Sequence, residues 1–324
     1  MAILVGIDEA GYGPILGPLV VSAAVFRLPD EQLGSSLWDV LRRSVCKKAA
    51  GSAGRLAIND SKKLHNSRQD YSLLQRGVLM ALAVSGNGMT PKNLGDLLQR
   101  VGADCINGLA DYPWYGASML ERPLKFDVDD IAIGANALKH DMASNDISFL
   151  HLWSRPLLTG EYNRQVELSK NKATVLFSRV SQFVYDVFQN FGGHEHNLQI
   201  LIDKLGGRDY YRQQLQRIFP SLQMKILKEE GHVSSYHLTG SEQSVKIHFL
   251  AKGDDRHLPV ALASMASKYL RELFMEVFND WFQEKCKDLK PTAGYYTDGN
   301  RFLEDLNSRI DIKSLPDNLL IRQR

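Results

Sequence analysis

Four carboxylates stand where apolar segments stop. Ile3–Ile7 runs into the adjacent pair Asp8–Glu9, Leu198–Ile202 runs into Asp203, and Val245–Leu250 ends just before Asp254. If these segments are strands ending on one edge of a sheet, their acids converge. Converging carboxylates repel one another unless cations lie between them. An all-oxygen ligand set suits hard divalent ions, Mg²⁺ or Mn²⁺. Two such ions about 3.5–4 Å apart clamp an in-line phosphodiester displacement, one activating water and the other stabilising the leaving oxygen. Taken alone, Asp203 reads more simply as a turn former or helix cap. Asp8 and Glu9 do not, because two adjacent acids at the end of a core strand gain nothing by capping.

The loop after Asp8–Glu9 holds Gly11, Gly13, Pro14, Gly17 and Pro18 before a β-branched run resumes at Leu19. Glycines there let a ligand come close to the backbone. Gly11-x-Gly13 is half of a dinucleotide fingerprint, but Pro14 and Pro18 prevent a helix from opening, so that reading is poor.

These side chains need a framework. Leu19–Phe26 carries no polar alternation, as in a strand buried on both faces, and its short link to Ile3–Ile7 demands antiparallel pairing. Apolar spacing predicts helices over Asp30–Val45, Ser67–Val84, Asn171–Asn190, Arg208–Ile218 and from Pro259 to about Lys287. "LAINDSKKLHN" reads as a short strand and turn, and "KKAAGSAGR" as a connector. "LQMKILKEE", "SSYHLTG" and "SVKIHFLAKGDD" read as added strands, giving a β-hairpin extension at about 221–250. The irregular stretch 85–160 is read as an ordered insertion, with Trp114, Tyr115 and Trp153 as its core aromatics or as an extended nucleic-acid surface. His194 and His196 flank Glu195 and have the types of metal ligands, but in a Gly-rich loop before a strand they read more simply as a solvated turn.

The 324 residues carry 44% hydrophobic and 23% charged side chains and a net charge of +2, so global charge points to no partner. Three distant cysteines make neither a disulfide framework nor a metal pair, and suggest a reducing compartment. No apolar run reaches the roughly 18 residues of a membrane span. A cytoplasmic monomer with no membrane contact is expected.

"DEAGYGPILGPLVVSAAV" resembles the opening motif of the type 2 ribonucleases H (ribonuclease HII), DEAGRGPxxGPVVxAAV. "NDSKKL" (Asn59–Leu64), "LIDKLGG" (Leu201–Gly207), "KGDDRHLPVALASMASKYLRELFM" (Lys252–Met275) and "GYYT" (Gly294–Thr297) resemble four further motifs of that family, in the same order. The resemblance implies one α/β domain over 1–324, with a ribonuclease H-like mixed central sheet, flanking helices and the two insertions. It implies metal ligands at Asp8, Glu9, Asp203 and Asp254, with the gapless match through Ser264, Lys268 and Arg271 selecting Asp254 over Asp255. It places 2′-hydroxyl reading by the backbone at Gly11, Tyr12 and Gly13, phosphate binding at Ser61, Lys62 and Lys63, and stacking near the scissile junction at Tyr295. Taken without that context, Lys62–Lys63 reads equally as a solvated turn. Lys268 and Arg271 are assigned structural or electrostatic support.

The implied activity is a metal-dependent endoribonuclease that uses two divalent cations, Mg²⁺ or Mn²⁺. It would cut the RNA strand of RNA·DNA hybrids, with ribonucleotides embedded in duplex DNA as a further substrate class. Tyr12 stands where the family has arginine, which puts junction specificity in question, and the histidine usual after GYxT is missing. The alternatives are a hybrid- or junction-binding protein with little or no catalysis, and a DNA-junction nuclease. The glycine loop opposes the last, since DNA offers no 2′-hydroxyl to read.

Overall fold

The computed structural model describes residues 1–48, 54–65, 70–85, 89–193, 197–206, 208–309 and 315–323. His194–His196 and residues 49–53 of the connector lie outside them.

Among the described residues nine strands form: β1 (Ala2–Ala10), β2 (Leu19–Leu28), β3 (Val45–Cys46), β4 (Leu56–Ala57), β5 (Ser148–Leu157), β6 (Asn197–Asp203), β7 (Gln223–Glu230), β8 (Val233–Thr239) and β9 (Ser244–Leu250). Seven make one sheet in the order β5-β2-β1-β6-β9-β8-β7, while β3 and β4 pair apart. β1 runs antiparallel to β2 and parallel to β6, and β6 runs parallel to β9. The expected mixed central sheet with flanking helices is therefore present.

Alternation along β1 explains its lack of polar residues. Ile3, Val5 and Ile7 point into the cluster under helix Lys172–Phe191, while Leu4 points into the cluster under helix Leu258–Lys285. A strand covered on both faces has little room for a polar side chain along its length. The strand does not stop at the acid pair as expected but carries Asp8 and Glu9 within it and ends at Ala10. At Gly6 the long helix comes so close that an added Cβ would lie 2.1 Å from the Pro259 carbonyl carbon. That contact seats the helix start on β1 and sets where the preceding turn, Gly253–Arg256, stands.

Several expectations change. Asp30–Val45 is not one helix: it splits into a 3₁₀ turn Asp30–Gln32, a helical turn Leu37–Val40 and β3, because Gly34–Ser36 interrupts it. "SKKL" is a helical turn, Ser61–Leu64, capped by Asp60, whose carboxylate accepts the Lys62 N–H at 2.9 Å. The helix expected from Arg208 starts at Arg212. Of the three strands read as added, only β7 and β8 lie outside the parallel core, since β9 pairs with β6. The stretch 85–160 supplies the sheet's edge strand β5 as well as helices such as Val128–Ala143. Trp114 and Tyr115 are buried against Phe278, Phe282 and Phe274, and Trp153 stacks on His151. No helix among the described residues is long and apolar enough to cross a membrane.

Candidate metal centre and nucleic-acid interface

Register places the acids within one another's field. β1 and β6 pair Ile7 with Ile202, so Asp8, still within β1, and Asp203, at the end of β6, come next on adjoining strands. β9 stops at Leu250, opposite Asp203, and the chain turns through Lys252, at φ 58°, into Gly253–Arg256. There the Gly253 N–H donates to Asp203 Oδ1 at 2.8 Å, which ties the Asp254 turn to β6. On β1 the Glu9 N–H donates to Asp8 Oδ1 at 2.7 Å. The long helix supports this corner: Ser264 bonds the Asp8 carboxyl, and Ser267 Oγ donates to the Asp8 carbonyl at 3.0 Å. Ser267 and Ser154 both bond Ser22, so a chain of hydroxyls joins the helix, β1, β2 and β5.

The four carboxyls perturb one another. Burial, then Glu9 and Asp203, raises Asp8 well above the usual carboxylate range. Glu9 is pushed up to about 8 by burial and by Asp203, against the pull of Lys62. Burial raises Asp203 despite the Gly253 and Lys204 N–H groups. Asp254 rises to about 6 through burial, Asp60, Asp203 and Asp255. Each ionised carboxylate thus makes the next harder to ionise, as expected of acids gathered without a counter-ion.

Among the described residues no group of three or more His, Cys, Asp or Glu side chains stands close enough together to hold a metal ion. The four acids share a field without converging to ligand distance. The donor set nevertheless suits a hard cation: every donor is a carboxylate oxygen, and Glu9 Oε2 is buried with no hydrogen-bond partner.

The other predicted residues border this corner. Lys62 is exposed and close enough to pull Glu9 and Asp203 toward ionisation. Lys63 pairs with Asp255, which engages that acid and leaves Asp254 facing Asp203. Ser61 is buried against Ser264 at 3.1 Å, so it holds the turn to the long helix. Gly11 takes φ +87°, and a Cβ there would meet the Pro18 carbonyl at 2.6 Å. The Tyr12 ring packs over Gly206, in the turn after Asp203, with Lys172 Nζ 5.3 Å from its centre. Tyr295 is 47% exposed and lies over Arg271, beside Gly294, whose carbonyl accepts the Ile15 and Leu16 N–H groups. Gly13 is open to solvent on its Cβ side.

Asp60 escaped the sequence reading. It raises both Asp203 and Asp254, and its position at the head of "DSKKL" was the available signal. Ser267, a serine in a helix, gave no such signal.

No protein-family model and no curated protein matches the chain. Solved structures do resemble it. The ribonuclease H2 of Pyrococcus horikoshii OT3 is 15% identical over 98% of this chain and 92% of its own, with a TM-score of 0.43. The RNase HII in a PCNA complex from Archaeoglobus fulgidus is 15% identical over 99% and 94%, with a TM-score of 0.41. RNase H3 of Aquifex aeolicus is 12% identical over 98% and 70%, with a TM-score of 0.40. Likeness this distant decides nothing about the site, which stands on its own residues.

Proposed function

We propose that this chain is a type 2 ribonuclease H, an endonuclease that hydrolyses the RNA strand of RNA·DNA hybrids. One observation carries the reading. Asp8 and Glu9 near the end of β1, Asp203 at the end of β6 and Asp254 in the helical turn after β9 lie within mutual electrostatic reach, next to a loop in which Gly11 takes φ +87° and Gly13 has open space on its Cβ side. The five ordered sequence motifs support the same conclusion.

Asp8, Glu9, Asp203 and Asp254 would hold two divalent cations, Mg²⁺ or Mn²⁺. When bound, such ions supply a nucleophilic water and neutralise charge on the leaving 3′-oxygen. The chain's own residues do the rest. Lys62 attracts the phosphate backbone toward the acids. Gly11, Tyr12 and Gly13 bring main-chain groups to the ribose across the wide minor groove. Tyr295 offers an exposed ring face beside that loop. Cleavage leaves a 3′-hydroxyl and a 5′-phosphate. A ribonucleotide embedded in duplex DNA is the further substrate class of this reading, and a monomer its acting form.

The test is cleavage of an end-labelled hybrid with Mg²⁺, with Mn²⁺ and with EDTA, by wild type and Asp8→Asn. Wild type cuts only with metal, and Asp8→Asn binds the hybrid without cutting it. Full activity in Asp8→Asn removes the proposal. Wild-type binding without turnover in either metal makes the chain a hybrid-binding protein instead.

A further inference from the structure

The glycine loop rests on two buried guanidinium groups. Arg271, on the long helix, is fully buried and donates through Nη2 to the Ala293 carbonyl at 2.7 Å and the Leu16 carbonyl at 3.4 Å. Its Nε lies 2.7 Å from where a Gly11 Cβ would be. The second group is Arg322, 3% exposed, from the far end of the chain. Its Nη1 donates to the Gly11 carbonyl, and its Nη2 reaches the Tyr12 carbonyl at 3.4 Å. The Tyr162 ring closes the other side, 4.0 Å from the guanidinium carbon.

The segment carrying Arg322 is held firmly. Its N–H donates to the Ile15 carbonyl at 2.8 Å. Asn163 Nδ2 donates to the carbonyls of Asn318 and Ile321 at 2.8 and 2.7 Å, and its Oδ1 accepts the Gln323 N–H at 2.7 Å. Burying a cation without a carboxylate is costly, and among the described residues no acid pairs with Arg322. Burial and the charge of Arg271 pull its pKa below the usual arginine value. Arg322 Nε and Arg271 Nε and Nη1 have no hydrogen-bond partner. A packing role alone would be met by an apolar side chain at lower cost.

Peptide geometry gives this arrangement a consequence. All described peptide bonds are trans, so a carbonyl and the following N–H point in opposite directions. Turning the Gly11 and Tyr12 carbonyls inward onto Arg322 turns the Tyr12 and Gly13 N–H groups outward. Among the described residues neither N–H has an acceptor within the protein. Two adjacent outward donors with positive charge behind them suit an oxygen acceptor.

We propose that Arg322 is a positioning residue for ribose recognition: from beneath the loop it fixes the Gly11 and Tyr12 peptides so that their neighbours' N–H groups meet a 2′-hydroxyl. The cationic charge that Tyr12 does not carry on the substrate side is supplied from below by Arg322, while Arg271 beside it pairs with Glu272, Nη1 to Oε1 at 3.7 Å. This rests on the function proposed above.

The experiment uses full-length protein in EDTA, which removes cleavage from the readout. Fluorescence anisotropy measures affinity for an RNA·DNA hybrid and for the all-DNA duplex of the same sequence, and thermal melting follows the fold. Wild type prefers the hybrid. Arg322→Gln loses about tenfold of that preference, the scale of one charge-assisted hydrogen bond, with DNA affinity unchanged, and Arg322→Lys restores part of it. If Arg322→Gln does not fold, Asn163→Ala, which frees the segment and leaves the guanidinium in the chain, shows the same selective loss in smaller measure. A folded Arg322→Gln with full hybrid preference overturns the proposal, as does an equal loss for hybrid and DNA. A wild type that does not distinguish hybrid from DNA overturns the proposed function itself, and this inference with it.

Discussion

Gly6→Ala tests whether the contact between β1 and the long helix builds the site. An added Cβ would lie 2.1 Å from the Pro259 carbonyl carbon and 2.2 Å from the Val260 nitrogen, both main-chain atoms of a buried helix start. An ordinary Cβ contact needs about 3.4 Å, so helix and strand must separate by about 1.3 Å. No flexible side chain can absorb that movement. The cost is that of a severe overpacking, about 3 kcal/mol or more, which lowers Tm by about 5–10 °C in a domain of this size. The displaced segment is continuous with Gly253–Arg256, so Asp254 moves away from Asp8. Misplacing a reacting group by about 1 Å costs on the order of 10²-fold in rate. The assay pairs thermal melting with hybrid cleavage below the melting transition. Val187→Ala, a core truncation under the other face, serves as a stability-matched control. Gly6→Ala loses activity out of proportion to its stability, and Val187→Ala does not. A Gly6→Ala protein melting within a degree of wild type, or one equally destabilised yet fully active, refutes the reasoning.

Three further outcomes follow from the same geometry. Asp254→Asn removes a charge that its neighbours oppose. In metal-free buffer at neutral pH the variant is stabilised by about 1–2 kcal/mol after allowance for solvent screening, and cleavage is lost; calorimetry with EDTA checks the first part. His248 is held down to about 4 by burial and by Lys246 and His257, below its unfolded value of 6.5. The unfolded chain therefore takes up a proton first: this contribution is whole above pH 6.5 and is lost as pH falls toward 4, by about 3 kcal/mol. His248→Asn flattens that decline, read as the difference between the two urea-unfolding pH profiles, which cancels the opposite trend of the acid cluster. Lys62→Gln weakens hybrid binding and lowers the salt dependence by about one phosphate contact, seen as a shallower plot of log affinity against log salt.

The residues of the candidate site could be picked out in the sequence because their signals are local. Three apolar runs each end at an acid, and that polarity change survives in any fold that buries the runs. Gly11 and Gly13 announce close backbone approach by type alone. The helix expected over Asn171–Asn190 forms at Lys172–Phe191 with Asn171 as its cap, because a wide apolar stripe and a capping residue are properties of neighbouring positions. Asp30–Val45 failed for the opposite reason: three small residues outweigh the periodicity around them. β5 was missed because a strand inside a Pro- and aromatic-rich stretch is recognisable only by its pairing with β2.

By itself the sequence determined the chemistry on offer, namely four carboxylates at strand ends, a loop without side-chain bulk at two glycines, and a lysine pair near them. Only the tertiary structure decided how these are distributed. It engages Asp255 with Lys63 and leaves Asp254 in the field of Asp203, it seats the long helix on Gly6, and it drives Arg322 beneath a loop 311 positions earlier. Such choices depend on which surfaces meet when the chain packs, and contacts between remote residues leave no periodic or compositional trace in the segments that make them.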